Sequence, residues 1–197
     1  MKVIPINKMR RDGVFKALHQ QLAPSNFYAL DGDLILVEKI PPSTVYVVAH
    51  LEFKMDTEPI SFTQAICFNQ MTSAPLPWRI PVYIIRAREP FEMPPTDATH
   101  LSHDYCEYAL KNHRFDITEY LHADWKPEPP RVNIATVLEN IRWHELIEWE
   151  RKLRQTRRIQ LAPYINAGWQ TQLPTPIPNE QVKIKIRTSN ETLTLPL

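Results

Sequence analysis

In the run Thr44–Met55 (TVYVVAHLEFKM), Glu52 and Lys54 stand two residues apart. The β-branched and aromatic residues of that run predict a strand. Side chains alternate across a strand, so Glu52 and Lys54 share one face and Phe53 packs on the other. Upstream, Asp33–Lys39 (DLILVEK) reads as another strand, with Asp33 on the face of Ile35 and Val37. A reversal at Pro41-Pro42 brings Asp33 opposite the stretch His50 to Glu52 in an antiparallel pair. Asp31 lies on the same face, and a small register slip would exchange the two; Asp33 is the favoured residue. Two carboxylates and an ammonium converging at one end of a sheet suit the hydrolysis of a phosphodiester. Carboxylate oxygens hold Mg²⁺ while leaving positions for water and substrate oxygens. The metal lowers the pKa of a bound water and stabilises developing charge. A neighbouring lysine can orient the water and offset charge on the scissile phosphate.

The elements that must position these residues can be read along the chain. Arg10–Leu22 predicts a helix, because Val14, Phe15, Leu18 and Leu22 recur at helical spacing and Pro24 closes the segment. Phe27–Leu30 reads as a short strand, and Asp31-Gly32 as a hairpin turn, since glycine tolerates the positive φ that such a turn demands. Ser61–Met71 predicts a helix with Ser61 as N-cap, ended by Pro75 and Pro77, and Ile80–Arg86 a fourth strand. The order is αβββαβ. Glu89–Arg131 then reads as loop-rich. Ile134–Arg158 predicts a helical region whose Val137, Leu138, Ile141, Leu146, Ile147 and Leu153 form an apolar stripe. Val182–Leu197 alternates on either side of Ser189-Asn190, which predicts a hairpin.

The run Gly32-Asp33-Leu34-Ile35, then Leu51-Glu52-Phe53-Lys54, then a helix carrying Gln64, resembles the PD-(D/E)XK nuclease superfamily. That group includes restriction endonucleases, Holliday-junction resolvases and RecB-type nucleases. The resemblance covers about the first 88 residues and includes Gln64-x-x-x-Phe68, which is similar to the Q-x-x-x-Y of RecB-type members. It implies a restriction-endonuclease-like α/β fold, a mixed sheet flanked by helices, with a C-terminal helical and hairpin extension. It implies that Asp33 and Glu52 bind Mg²⁺ or Mn²⁺, that Lys54 helps activate water, and that Gln64 supports the site or substrate. DNA, in duplex, branched or single-stranded form, is the implied substrate. Three departures stand against the pattern: Gly32 replaces the proline of the first element, Phe68 replaces the tyrosine, and the first helix offers Asp12, Gln20 and Gln21 but no glutamate.

The chain of 197 residues suits one domain, or a core over residues 1–125 with an extension over 126–197 that could set substrate choice or dimerisation. Hydrophobic residues make up 43% and charged residues 23%, ordinary for a chain with a real core. Net charge is +1 and the pI about 7.8, so any nucleic-acid contact must come from a local patch. Arg151, Lys152, Arg154, Arg157 and Arg158 could be that patch, or could complement the C-terminal dipole of their helix. Nineteen prolines against three glycines predict extended connectors and argue against a glycine-rich phosphate loop. No apolar run approaches the ~20 residues that cross a bilayer. The first residues do not read as a signal peptide, and Cys67 and Cys106 read as reduced thiols, so a cytoplasmic location is expected.

Each motif also has an ordinary reading. Glu52 and Lys54 could form an exposed ion pair contributing little. Ser61-Phe62-Thr63-Gln64 fits a capping box. His100, His103 and Cys106, with His113 and His122 beyond, lack the paired spacing of a structural zinc site. His144-Glu145-Leu146-Ile147-Glu148 departs from H-E-x-x-H at its last residue. The rival to a nuclease is the same fold without catalysis, acting as a nucleic-acid-binding or protein-interaction module; a further rival is an unrelated interaction protein.

Overall fold

The computed structural model describes residues 14, 15, 17–19, 34–40, 44–55, 57–94, 101–124 and 131–167. Eight elements follow one another: β1 (Leu34–Ile40), β2 (Thr44–Met55), α1 (Phe62–Ser73), β3 (Val82–Ala87), α2 (His103–Asn112), β4 (Phe115–Asp124), β5 (Arg131–Ile141) and α3 (Trp143–Asn166). The architecture is α/β, with a five-stranded mixed sheet in the order β1-β2-β3-β4-β5. The chain divides into two compact units, Met1–Gln160 and Leu161–Leu197. Of the second unit the described part, residues 161–167, covers the end of α3 and the turn after it.

The connections dictate the strand directions. Only three residues separate β1 from β2, and that short reversal gives an antiparallel pair. β2 and β3 are parallel, with α1 as the crossover between them, because a parallel pair needs a long connection. β4 then runs antiparallel to both its neighbours, β3 and β5. A parallel pair joined through a helix puts the C-terminal end of β2 beside the N-terminal end of α1. Clefts outside such strand ends are where α/β sheets tend to place their ligands.

Each face of the sheet has its own cover. On one face, Ala65 and Phe68 of α1 pack with Ile60, Val82, Ile84, Tyr120 and Ala123. Buried polar groups in that layer are matched: Tyr120 Oη donates to Asn69 Oδ1 at 2.7 Å, and Asn69 Nδ2 donates to the Ala123 carbonyl at 2.7 Å. On the opposite face Phe15 stacks on Phe53 at 4.3 Å and on Trp143 at 5.0 Å, and Tyr83 meets Trp149 edge-on at 5.0 Å. His19 Nε2 and Glu150 Oε2, 2.8 Å apart and fully buried, join the helical residues near the N-terminus to α3. The sheet therefore lies between α1 on one side and the first turns of α3 with residues 14, 15 and 17–19 on the other.

Two segments depart from their sequence reading. Arg131–Ile141, expected to open a helix at Ile134, is strand β5, and the helix starts at Trp143. Its apolar residues Val132, Ile134, Val137, Leu138 and Ile141 fit a helical stripe as well as a strand. A bulge removes strict alternation, because Phe115 pairs with Ile141 while Ile117 pairs with Leu138. Asn140 takes the extra position with φ 53° and donates its amide to Asp116 Oδ1 at 2.7 Å. Asparagine tolerates that left-handed geometry better than most residues. The stretch Glu89–Arg131, expected as loops, contains α2 and β4. The strand Phe27–Leu30, the Asp31-Gly32 turn and the hairpin of Val182–Leu197 lie outside the described residues.

Candidate active site

His50, Glu52 and Lys54 occupy alternate positions of β2 and pair in register with Val82, Ile84 and Arg86 of β3. Val82 and Ile84 belong to the core under α1, so the three polar side chains face α1 too. All are buried: His50 is 5%, Glu52 2% and Lys54 5% exposed. Three ionisable groups in a row within a sheet interior are costly unless they pair and hydrogen-bond. Lys54 Nζ lies 3.0 Å from Glu52 Oε1 and 3.2 Å from Glu58 Oε1, bridging a buried and an exposed carboxylate. His50 Nε2 is 3.6 Å from Glu52 Oε2, and its ring lies 5.2 Å from Phe68.

Gln64 connects this row to the helix. Ser61 caps α1: its Oγ accepts from the Gln64 amide at 3.3 Å, while Gln64 Oε1 accepts from the Ser61 amide at 3.0 Å. A backbone N–H can only donate, so the group it meets must be the carboxamide oxygen. The other end of the carboxamide, Nε2, then donates to Glu52 Oε1. Gln64 thus performs both roles that its sequence position allowed, helix cap and support of the acid. It also presents a donor, and no oxygen, toward Glu52. The positive end of the α1 dipole, next to the same carboxylate, favours negative charge there.

A tight turn holds the outer rim. Glu58 N donates to the Met55 carbonyl at 3.0 Å, and Arg86 Nη1 donates to the carbonyls of Met55 at 3.2 Å and Glu58 at 2.8 Å. Lys54 is thereby fixed from both sides, with its ammonium between the protein interior and the turn.

The expected residues Glu52, Lys54 and Gln64 come together. Asp33, Asp31, Asp12, Gln20 and Gln21 lie outside the described residues. The β1–β2 ladder reaches the pair Leu34–Leu51, the chain neighbours of Asp33 and Glu52. His50 and Glu58 were missed by the sequence reading. His50 carried a signal, since it stands one alternation before Glu52 on the same strand; Glu58 enters through a turn that no periodicity announces. Phe68, 2% exposed, is a core residue against Tyr120, so the place of a tyrosine hydroxyl is filled by packing.

Of the other motif residues, His100 lies outside the described residues. His113 is buried against Phe91 at 4.2 Å and accepts from Trp143 Nε1 at 3.4 Å; burial pushes its pKa down to about 4. His103 and His122 are exposed beside Glu107 and Asp124. In the H-E-x-x-E segment Leu146 and Ile147 are buried, and Glu145 caps α3 by accepting from the Arg142 amide at 2.9 Å. The basic cluster does not end its helix: α3 continues to Asn166, with no basic residue in the last turn, so it does not complement the C-terminal dipole. Arg154 and Arg157 are buried and donate to main-chain carbonyls of Val37, Pro77 and Arg79, whereas Arg158 pairs with Glu38. Among the described residues, no group of three or more His, Cys, Asp or Glu is arranged to hold a metal, and no helix is long and apolar enough to cross a membrane. Comparisons with family models, curated proteins and solved structures return no match.

Proposed function

We propose that this chain is a metal-dependent nuclease of restriction-endonuclease-like fold that hydrolyses DNA phosphodiesters. The observation that carries the reading is the contact of Lys54 Nζ with Glu52 Oε1 at 3.0 Å, buried at the C-terminal end of a strand and braced by Gln64. A bare surface E-x-K pair would not be buried, whereas this one is sealed in the sheet and held by a helix-capping residue. The donor chemistry fits a hard divalent cation: Glu52 supplies carboxylate oxygen, and Asp33 would supply the second carboxylate. Mg²⁺ or Mn²⁺ held there would supply Lewis acidity and a more acidic water.

The chain's own residues would divide the remaining work. Gln64 Nε2 holds one Glu52 oxygen and fixes the rotamer of the acid. Lys54, held by Glu52 and Glu58, would place its ammonium against a phosphate oxygen or the attacking water. Phe68 and the core below keep bulk water from the inner side. The rival reading, an inert module of the same fold, draws on the same contact, since the Glu52 charge is already matched by Lys54.

Incubation of the full chain with duplex, branched and single-stranded DNA in Mn²⁺ tests the proposal. Cleavage by the wild type that disappears in Lys54→Ala and Asp33→Ala supports it. No cleavage of any substrate would favour the inert module, and cleavage that survives both substitutions would remove Asp33 and Lys54 from the reaction.

A further inference from the structure

We propose that a second site, on the sheet face opposite Glu52, binds a small oxyanion, a carboxylate or a phosphate group. A cavity of about 270 Å³ opens there, lined among others by Arg79, Tyr83, Glu119, Thr156, Arg157 and Gln160. Tyr83 pairs in register with Leu51 and Glu119, one residue out of phase with Glu52, which puts this cavity on the α3 side. The outcome of its test is therefore independent of the nuclease reading.

The guanidinium of Arg157 carries the argument. Arg157 is 4% exposed, yet its acceptors are neutral: the carbonyls of Pro77 at 3.4 Å and Arg79, and Gln160 Oε1 at 3.5 Å. Its Nε is buried and makes no hydrogen bond. Among the described residues no carboxylate forms an ion pair with it. A buried cation whose acceptors are all neutral is costly unless something anionic lies near it. Guanidinium is the group that best matches the geometry of carboxylate and phosphate oxygens.

The charged groups on the wall leave it net positive. Arg79, exposed on the cavity wall, adds a second positive charge. Glu119 subtracts one, leaving the trio with a net charge of +1, which selects an anion of low charge. Burial pushes the Tyr83 phenol up to about 12, so it stays protonated and can donate at neutral pH. The volume sits at the lower edge of ligand-pocket sizes, so the ligand is small.

Calorimetric titration of the full chain with inorganic phosphate and, separately, acetate at low ionic strength tests this site. The two anions distinguish a phosphate-bearing ligand from a carboxylate. Arg79→Ala and Glu119→Gln alter the charge of the wall without touching the Arg157 anchor, and unchanged circular dichroism would verify their folding. One-to-one uptake of either anion is expected, weakened about fivefold by Arg79→Ala and strengthened severalfold by Glu119→Gln. No saturable uptake of either anion, or uptake that neither substitution changes, would overturn the proposal.

Discussion

Replacing Lys54 by Met keeps the length and most of the apolar stem of the side chain while deleting its charge. Glu52, 2% exposed, would lose the ammonium now 3.0 Å away. Breaking a buried ion pair from one side generally costs about 3–5 kcal/mol, because the remaining charge stays desolvated. Glu52 keeps its bond from Gln64 and the His50 imidazole at 3.6 Å, which argues for the lower end, about 3 kcal/mol. Urea denaturation followed by tryptophan fluorescence reads this directly. The double variant Glu52→Gln/Lys54→Met removes both charges and should recover about 2 kcal/mol of the loss. Raising salt to about 0.5 M should leave the Lys54→Met loss nearly intact, since buried pairs are poorly screened. A loss below about 0.5 kcal/mol, or a double variant whose loss equals the sum of the singles, would show that the pair behaves as an exposed one.

Gln64→Ala removes a helix cap and a donor to Glu52 together, so about 1–2 kcal/mol of stability should go; Gln64→Glu, which keeps the capping oxygen but places a second acid against Glu52, should cost at least as much in the same urea assay. The buried imidazole of His113 has its pKa lowered from 6.5 to about 4. The unfolded chain therefore binds more protons at this residue below pH 6.5, and its stabilising effect, complete above that value, falls away as the pH drops toward 4. Unfolding free energies at pH 7 and pH 4.5 should differ by roughly 2–3 kcal/mol from this residue, a difference that His113→Phe should largely remove. Asp116→Ala would leave the Asn140 amide and the Arg88 guanidinium without their shared acceptor, at a cost of about 1–2 kcal/mol measured by thermal unfolding.

The sheet's first half was legible because its signals were local. β2 was read at its observed limits, Thr44–Met55, from β-branched residues between a proline turn and a loop. α1 declared its start through Ser61 and Gln64, and the structure has the capping box those residues spell. The proposed contact of Glu52 with Lys54 needed only the alternation of a strand. The second half hid itself in competing patterns. Ile134, Val137, Leu138 and Ile141 satisfy a helical stripe, and only pairing with β4, a long-range fact, makes them a bulged strand. Phe115 and Ile117 start an alternation that breaks at Thr118 to Tyr120, where burial shifts phase, and the prolines on either side of α2 and β4 drew the reading toward loops. The end of α3 was missed for a similar reason: Pro163 lies inside the helix, beyond the Arg158 limit expected for it. Glu58 joined the site through the turn at Met55, where side-chain period carries no information.

Titration of the full chain with Mn²⁺, followed by the loss of its free-ion magnetic resonance signal, tests the two-carboxylate site most directly. Saturable uptake of the ion that falls at least tenfold in both Asp33→Asn and Glu52→Gln, with folding unchanged, is the predicted result. Uptake indifferent to either substitution, or none at millimolar ion, would contradict a metal centre built on Asp33 and Glu52.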